Sequence, residues 1–472
     1  MSSGEQERLI GRRTVLKAAG GAALAGAAGF AAAPAANADE TGRSADVIVI
    51  GSGFAGVTAA RDLRQAGLRP VLLEARDRVG GRTWTSSYEG ETIEFGGQWV
   101  GDVHTNAMAE LRRYGIATKS GGPLPLRAFF PTAAGGQQEV DFVTANDHLN
   151  SLLARLFDGS ATYFPRPREP LYAADVLARY DPLSLQDRLN QLTLSPQDKL
   201  WLSGMTGVFS GGSSTVGGLT AFAQAWAGGG HTGQGWNELQ EYLIQGGTGA
   251  LLNAMLTDAQ ADLRLNSPVA SVAEEPGRVV VTTRAGVRYY APTVVVAVPV
   301  NVWRTISFQP GLPAVHTSAT REGVGVPNAA KLLIRLRGEH RLPFALGPEG
   351  APMSWIVPQS ELPDGDQLVV GFTVDPTINL TSVADVQAKV RTILPGATVR
   401  EFRAHSWARD RWAMGGWALR RPNQLLRQVP AIHQPHGRIV FASGDVPAAW
   451  HGYIEGAIEA GKLGAQQALS II

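Results

Sequence analysis

The feature that most constrains the fold is a glycine-rich turn between a strand pattern and a helix pattern. Residues 46–50 (DVIVI) are a short β-branched run, and 51–56 (GSGFAG) follow directly. A helical pattern continues to Ala66, Gly67 ends it, and residues 70–73 (PVLL) form a second apolar run. Continuous apolar runs of this length are typical of buried parallel strands. The order strand, glycines, helix, strand therefore predicts a βαβ unit.

Each glycine of the turn has a physical reason. Gly51 allows the tight turn, Gly53 allows a pyrophosphate to approach the backbone, and Gly56 allows close packing of helix and strand. The helix N-terminus favours an anion, and Glu74, 18 residues after Gly56, can accept hydrogen bonds from a ribose hydroxyl. The unit predicts a dinucleotide site but does not by itself distinguish FAD from NAD.

The segment after Glu74 carries a resemblance to a known family. Residues 73–85 (LEARDRVGGRTWT) contain glycines that permit close backbone approach and arginines that can neutralise a diphosphate. This segment resembles the second FAD motif of the flavin-containing amine oxidases, the monoamine and polyamine oxidase group. Residues 94–101 (EFGGQWVG) are similar to the next element of that family, which passes the flavin.

The resemblance extends over nearly the whole chain. Val269 matches the position whose backbone meets the adenine, and residues 438–469 match the C-terminal FAD motif. In that motif Asp445 would face the ribityl or pyrophosphate region, and residues 452–454 (GYI) would open a helix under the isoalloxazine. Residues 163–172 (YFPRPREPLY) and 242–264 resemble the bacterial nicotine-degrading branch of the family.

The resemblance implies an FAD site built from several segments. The residues expected to bind the cofactor are Gly51, Gly53, Phe54, Ala55, Gly56, Glu74, Ala75, Arg76, Gly80, Gly81, Arg82, Gly96, Gly97, Gln98, Trp99, Val269, Trp407, Trp412, Gly444, Asp445, Tyr453 and Ile454. Gly416 stands where animal monoamine oxidases have the cysteine that binds flavin. The chain contains no cysteine, so thioether attachment is impossible and we expect non-covalent FAD. No pattern predicts a metal site.

The fold class that follows is α/β. We predict a Rossmann-like FAD-binding domain with the GxGxxG βαβ unit, interleaved with an α+β substrate-binding domain. The discontinuous FAD-binding domain comprises residues 39–125, 236–315 and 400–472. The substrate domain comprises residues 126–235 and 316–399, which lack nucleotide signals.

Three residues are predicted to serve the chemistry that the resemblance implies, the transfer of a hydride equivalent from an amine to flavin N5 and hydrolysis of the imine to a carbonyl compound. Trp417, in residues 407–417 (WARDRWAMGGW), and Tyr453 match the two aromatic-cage positions before the flavin. Lys331 matches the lysine that reaches flavin N5 through a water. The alternatives are ordinary core aromatics, and for Lys331 a half-exposed strand, because residues 331, 333, 335 and 337 share one strand face.

The first 38 residues resemble an export signal. Arg12 and Arg13 precede an apolar stretch at 18–36, and residues 36–38 (ANA) form a small-residue cleavage pattern. We predict a twin-arginine signal peptide in residues 1–38, export by that machinery, and a periplasmic or extracellular location. A membrane anchor is the alternative, but the stretch is weakly hydrophobic and contains Pro34, so we expect no membrane association of the mature form.

The expected partners are small. A formal net charge of +1 lacks the basic field that nucleic acid binding requires. We expect an amine substrate, with O2 (giving H2O2) or a redox protein as electron acceptor. The oligomeric state is open, a homodimer included. Two other functions remain: an L-amino-acid oxidase, which needs a pocket arginine for the carboxylate, and a catalytically silent FAD-binding protein.

Overall fold

A computed structural model of the chain describes residues 43–472, so the predicted signal in residues 1–38 lies outside the described residues. At its centre is a parallel sheet that contains the predicted βαβ unit. The five strands are, in spatial order, Asp262–Arg264, Pro70–Leu73, Val47–Ile50, Val294–Val296 and Ile439–Phe441. From the central strand Val47–Ile50, the next two strands in the sequence, Pro70–Leu73 and Asp262–Arg264, lie on one side. The last two, Val294–Val296 and Ile439–Phe441, lie on the other. Such a reversal of strand order opens a crevice at the carboxyl ends of the strands.

Both faces of the parallel sheet are buried, and successive side chains along a strand point to opposite faces. Val47 and Val49 pack against helices, whereas Ile48 and Ile50 pack into a separate cluster on the opposite face. The covering helices are Phe54–Gln65, Thr248–Ala259 and Ile454–Ile471. This double burial explains why the strands read as uninterrupted apolar runs in the sequence.

A mixed five-stranded sheet covers the other face. Its strands are, in spatial order, Arg43–Ser44, Arg288–Ala291, Arg278–Thr283, Val269–Glu275 and Ser307–Gln309. Its antiparallel pair Val269–Glu275 and Arg278–Thr283 forms a hairpin. Val272 and Val281 are cross-strand partners whose side chains lie in the same core cluster as Ile48.

The second large layer is a seven-stranded sheet. Its strands are, in spatial order, Val399–Ser406, Ala330–Leu336, Gln367–Thr373, Trp355–Glu361, Pro343–Leu346, Arg127–Pro131 and Gln137–Val140. The predicted boundary between residues 399 and 400 falls inside the first of these strands. Another predicted boundary, between 235 and 236, falls inside the helix Gly233–Glu238. The described residues form one compact unit, and the division into two domains stays a prediction.

The remaining elements cover the sheets and connect them. The other helices are Thr105–Arg113, Phe142–Leu156, Ser160–Tyr163, Ala174–Leu177, Leu185–Gln191, Pro196–Phe209, Leu219–Gly228, Gly233–Glu238, Ala314–Glu322, Val383–Val390, Leu425–Ile432 and the 3-10 helix Val300–Thr305. The small sheets pair Thr85–Tyr88 with Glu91–Glu94, and Tyr242–Ile244 with Trp99–Val100 and Thr118–Ser120. Within residues 43–472, no helix combines the length and apolar character needed to cross a membrane.

Candidate functional site

One large cavity joins the glycine turn of the parallel sheet to aromatic side chains of the second layer. It is lined by residues from the βαβ unit, the C-terminal motif, the seven-stranded sheet and the helix Pro196–Phe209. Of all the predicted site residues, only Gly56 and Asp445 do not line it. The structure therefore brings Lys331, Trp417 and Tyr453 to the same cavity as the glycine-rich segments.

The turn at one end of the cavity has the backbone that the motif predicts. Gly51 has a φ of +100°, in the region that favours glycine. A Cβ on Gly56 would lie 1.8 Å from the carbonyl oxygen of Gly51, so this position tolerates no side chain without a backbone shift. Gly53 begins the helix Phe54–Gln65, whose first turn has no side-chain cap and no acidic residue. The uncapped N–H groups fit an anionic group of a ligand.

Glu74 lies at the end of the second strand, beside this turn. Its Oε2 accepts hydrogen bonds from the backbone N–H of Ser52 at 2.9 Å and from the Ser52 hydroxyl at 2.7 Å. Its Oε1 accepts from the backbone N–H of Arg76 at 2.9 Å. The buried carboxylate is thus fixed against the glycine turn and lines the cavity, as a ribose-binding acid requires.

A second glycine loop crosses the turn and is connected to the C-terminal motif by an arginine. Gly80 and Gly81 have φ of +111° and +58°, and a Cβ on Gly53 would lie 3.8 Å from the Gly81 Cα. Arg82 donates to the carbonyl of Gly416 at 2.9 Å and pairs with the carboxylate of Asp445.

The position of Asp445 differs from the prediction that it faces the cofactor. Asp445 is 2% exposed and does not line the cavity. One oxygen binds Arg82, and the other accepts from the backbone N–H of Val300 at 2.8 Å. A buried carboxylate needs such partners, so Asp445 orients Arg82 rather than facing the cavity itself.

Lys331 lies in the wall of the cavity on the strand Ala330–Leu336. Its Nζ donates to the carbonyl of Gly96 at 2.9 Å and to the side-chain oxygen of Gln98. The Nζ is 5.4 Å from the ring centroid of Trp99 and 5.7 Å from that of Phe372. The segment that resembles the flavin-passing element therefore binds the lysine directly.

The half-exposed alternative for this strand is wrong. Lys331 is 4% exposed, and Leu332 and Leu333 lie in different core clusters on the two faces of the strand. Burial lowers the pKa of Lys331 to about 7, and the charge of Glu94 opposes part of this shift.

The other end of the cavity is aromatic. Phe209, the last residue of the helix Pro196–Phe209, lies 6.2 Å from Trp417, 6.1 Å from Trp236 and 6.3 Å from Trp355, measured between ring centroids. Phe372 lies 5.5 Å from Trp355 and 6.4 Å from Trp417. Because Phe372 also contacts Lys331, the lysine and the aromatic wall are parts of one site.

Trp417 and Tyr453, the two residues predicted to form an aromatic cage, both line the cavity. The indole N–H of Trp417 donates to the carbonyl of Phe209 at 3.3 Å. The Tyr453 ring lies 5.4 Å from that of His104 and 5.5 Å from that of Trp450, and burial raises the pKa of its hydroxyl to about 12. Two aromatic surfaces from distant parts of the chain thus border the same space.

The two tryptophans predicted to surround the cofactor also line the cavity. Trp407 is buried, and its indole N–H donates to the carbonyl of Phe95 at 2.7 Å. The Arg284 guanidinium lies 4.8 Å from the ring of Trp412. Both indoles are therefore fixed by contacts with other segments of the chain.

Several cavity residues had no signal in the sequence analysis. They are Phe209, Phe222, Trp236, Gln240, Trp355 and Phe372. The aromatic ones lie within ordinary helix and strand patterns, where nothing in the spacing marks a binding residue. Ser52 and His451 lie inside quoted motifs, so the hydrogen bonds of Ser52 to Glu74 are the kind of detail a closer reading of the motif could have found.

The chain is similar to proteins of a known family over most of its length. A family model described as flavin containing amine oxidoreductase matches residues 54–469. Nicotine dehydrogenase of Pseudomonas putida (strain DSM 28022 / S16) is 32% identical over 452 residues, which is 93% of this chain and 92% of that protein. Pseudooxynicotine dehydrogenase of a Pseudomonas species is 29% identical over 435 residues, 88% of this chain and 84% of that protein.

A solved structure supports the fold. Putrescine oxidase with bound putrescine has a TM-score of 0.76 to this chain, covering 90% of this chain and 99% of that one at 23% identity. At that identity the match is evidence for the fold alone. The predicted α/β class is confirmed, and so is the resemblance on which the site residues were chosen.

Proposed function

Because the chain belongs to the flavin containing amine oxidoreductase family, we propose that it is an exported enzyme that binds FAD non-covalently and oxidises an amine at its carbon–nitrogen bond. The observation that carries the proposal is the shared cavity. It joins an uncapped helix N-terminus and two glycine loops to a buried lysine and an aromatic wall. A protein that only bound a dinucleotide would need neither the lysine nor the wall.

The residues present fit FAD. Phe54–Gln65 would direct its free N–H groups to the pyrophosphate, Glu74 would bind the ribose, and Arg82 would lie beside the glycine loop. When bound, FAD supplies the electron sink for amine oxidation. The absence of cysteine leaves no thiol for attachment, and Gly416 occupies the matching position.

The aromatic wall would determine which form of the amine reacts. Among the described residues, the only carboxylate that lines the cavity is Glu74, beside the glycine turn. A substrate ammonium between Trp417, Tyr453 and Phe209 would therefore lose hydration without gaining a counter-ion. Burial of this kind lowers the pKa of an amine, so the wall favours the neutral, reactive form.

The amino-acid oxidase alternative is less well supported. Within residues 43–472, the arginines that line the cavity are Arg76 and Arg82. Each is paired with a carboxylate, Arg76 with Asp410 at 2.8 Å and Arg82 with Asp445. Neither contacts the aromatic wall, where a substrate carboxylate would need a partner.

The substrate class we infer is an amine with an apolar ring. Two relatives over most of the chain are named for nicotine and pseudooxynicotine. The wall of aromatic rings offers such a molecule apolar contact and few hydrogen bonds. The electron acceptor is O2, giving H2O2, or a redox protein; both named relatives are dehydrogenases.

The experiment that tests the function is anaerobic mixing of the flavin-loaded enzyme with a panel containing nicotine, pseudooxynicotine, putrescine, benzylamine and L-amino acids. Loss of flavin absorbance with amines, and its return when air or an added redox acceptor is admitted, supports the proposal. Loss with α-amino acids alone would instead indicate an amino-acid oxidase. No loss with any compound would indicate a silent FAD-binding protein.

Replacing Tyr453 by alanine is expected to slow anaerobic reduction by the best amine about tenfold to a hundredfold, while the flavin content stays that of the wild type. The reason is the loss of one aromatic surface that orients the amine. Tyr453→Phe is the matched variant and should retain most of the rate. If Tyr453→Ala is purified without flavin, the residue is structural and the assigned role is wrong.

Export is a separate part of the proposal, supported by the twin arginines and the cleavage pattern in residues 1–38. Changing Arg12 and Arg13 to lysine should leave active, flavin-loaded precursor inside the cell. The measurement is enzyme activity and the N-terminal sequence in separated cell fractions. Unchanged export of the double variant, or a mature N-terminus that includes residues 1–38, would contradict it.

A further inference from the structure

Gln98 is a buried side chain that forms a hydrogen bond with the lysine of the cavity wall. It is 4% exposed and lines the cavity, and it was predicted to bind the cofactor. In the structure its Oε1 accepts a hydrogen bond from the Nζ of Lys331. The Nζ also donates to the backbone carbonyl of Gly96 at 2.9 Å. No carboxylate within residues 43–472 forms an ion pair with this Nζ, so its acceptors there are two neutral oxygens.

One short segment of the chain provides both acceptors and an aromatic contact. The ring centroid of Trp99, which follows Gln98 directly, lies 5.4 Å from the Nζ of Lys331. The ring of Phe372, the cross-strand partner of Lys331, lies 5.7 Å from it. An aromatic ring attracts a cation through its face but does not accept a directed hydrogen bond as an oxygen does. The direction of the Nζ is therefore set by Gly96 and Gln98.

The backbone of this segment is fixed against the second glycine loop. The N–H of Gly97 donates to the carbonyl of Arg82 at 3.2 Å, and a Cβ on Gly96 would lie 2.0 Å from that same oxygen. The indole N–H of Trp99 donates to the carbonyl of Gly121 at 3.0 Å. The two acceptors of the lysine thus have a defined position relative to the glycine loop.

The lysine itself is the flexible partner in this contact. Its ammonium group ends a stem of four carbons with several rotatable bonds, and it carries three N–H donors. With Gly96 as the one acceptor, the stem could swing about a single hydrogen bond. The second acceptor, Gln98, removes that freedom and directs the third N–H away from both oxygens. Lys331 lines the cavity, so this N–H is the donor left for a molecule inside it.

We propose that Gln98 is a positioning residue that acts through Lys331 and holds the Nζ in place for reoxidation of the reduced enzyme. The inference rests on the proposed function, because it assigns a supporting residue to the lysine of that site. In the reaction O2 takes two electrons and two protons from the reduced flavin and is released as H2O2. A preorganised donor contributes to such a step only while its position is fixed.

The first test compares Gln98→Met with Gln98→Glu by stopped-flow mixing of the anaerobically reduced enzyme with oxygenated buffer. Methionine has a similar length but no acceptor oxygen, whereas glutamate retains one. Gln98→Met should be reoxidised about tenfold more slowly, with the wild-type flavin content and the wild-type rate of anaerobic reduction by the amine. Gln98→Glu should remain within about twofold of the wild type. Gln138→Met, at an exposed glutamine of the strand Gln137–Val140, is the control.

A double-variant cycle separates an effect through the lysine from an independent one. In a Lys331→Met background there is no Nζ to position, so Gln98→Met should cause no further slowing of reoxidation. Independent effects would multiply, and the double variant would then be about tenfold slower than Lys331→Met alone. A structural role of Gln98 would not depend on Lys331 in this way.

Crystal structures of the same variants give a readout that does not depend on turnover. In Gln98→Met the Nζ of Lys331 should leave its place beside the Gly96 carbonyl or occupy several positions. In Gln98→Glu it should remain within hydrogen-bond distance of both oxygens. An Nζ that stays at its wild-type position in Gln98→Met would contradict the proposed role.

The remaining outcomes are also decisive. Wild-type reoxidation in Gln98→Met or in Lys331→Met, or multiplied effects in the double variant, would overturn the inference. If Gln98→Met is purified without flavin, Gln98→Asn, whose acceptor is withdrawn by one methylene, replaces it and should also be slow. Loss of flavin in both variants would make Gln98 structural and overturn the inference. Failure of the proposed function is distinguishable, because the wild type itself would then oxidise no amine.

Discussion

A Gly56→Val variant should be purified without flavin and with strongly reduced stability. Even the Cβ of the new side chain would lie 1.8 Å from the carbonyl oxygen of Gly51, far inside the contact distance. Because that oxygen belongs to the backbone of the glycine turn, a rotamer change cannot relieve the overlap. Overpacking usually costs 1–3 kcal/mol, and we expect at least about 3 kcal/mol here.

The measurement is the flavin-to-protein absorbance ratio, together with the thermal unfolding midpoint. Gly311→Val is the matched control, because a Cβ at Gly311 meets nothing within 4 Å and its φ is not in the glycine region. The control should retain full flavin content. A Gly56→Val protein with one FAD per chain and the wild-type midpoint would show that the turn is not needed as described.

Replacing Lys331 by methionine should slow reoxidation of the reduced enzyme by oxygen about a hundredfold, with little change in FAD affinity. Methionine retains the apolar length of the side chain but removes the N–H donors and the charge. The loss of a preorganised donor in a buried active site typically reduces a rate 10²–10³-fold. Lys331 is the one lysine among the described residues that lines the cavity, so no neighbouring lysine replaces it.

Stopped-flow mixing of the anaerobically reduced enzyme with oxygenated buffer gives this rate, and equilibrium dialysis gives the FAD affinity. Lys199→Met, on the exposed side of the helix Pro196–Phe209, is the control and should behave as the wild type. Reoxidation at the wild-type rate in Lys331→Met would remove the role that we assign to the lysine. Loss of FAD binding alone would make the residue structural.

The parallel-sheet half of the fold was predictable because its signals are local. Gly51 has a positive φ, and Gly56 packs against the carbonyl oxygen of Gly51. Both requirements for glycine therefore lie within one six-residue segment of the sequence. Strands buried on both faces read as unbroken apolar runs, as in residues 46–50 and 70–73. The prediction of Glu74 at the turn follows from the length of one helix and one strand.

The seven-stranded sheet was not predictable in the same way. Its strands come from residues 127–140, 330–373 and 399–406, and the pairing of Pro343–Leu346 with Arg127–Pro131 joins positions more than 200 residues apart. The alternation at Lys331 and Arg335 suggested a half-exposed strand, yet side chains cover both faces at Lys331. Arg335, near the end of the strand Ala330–Leu336, forms an ion pair with the exposed Asp364. Tertiary contacts here override the local pattern.

The residues of the candidate site also differ in whether local sequence motifs or tertiary packing bring them to the cavity. The glycines and Glu74 at one end of the cavity occur in motifs and were predicted, whereas Phe209, Trp355 and Phe372 reach the cavity only through the packing of two layers. Glu94 is the first residue of a quoted motif, but its carboxylate accepts a hydrogen bond from the backbone N–H of Thr248, which lies 154 positions away in the sequence. Asp445 was predicted to face the ribityl or pyrophosphate region of the cofactor; in the structure it binds Arg82 and does not line the cavity.

The most direct test of the central claim is the flavin itself. The enzyme purified from its natural location should be yellow, with one flavin per chain. Acid precipitation should release all of it into the supernatant as FAD, and the resulting apoprotein should bind added FAD in a one-to-one titration. A colourless protein that binds no added FAD, or colour that remains on the precipitated chain, would contradict the account.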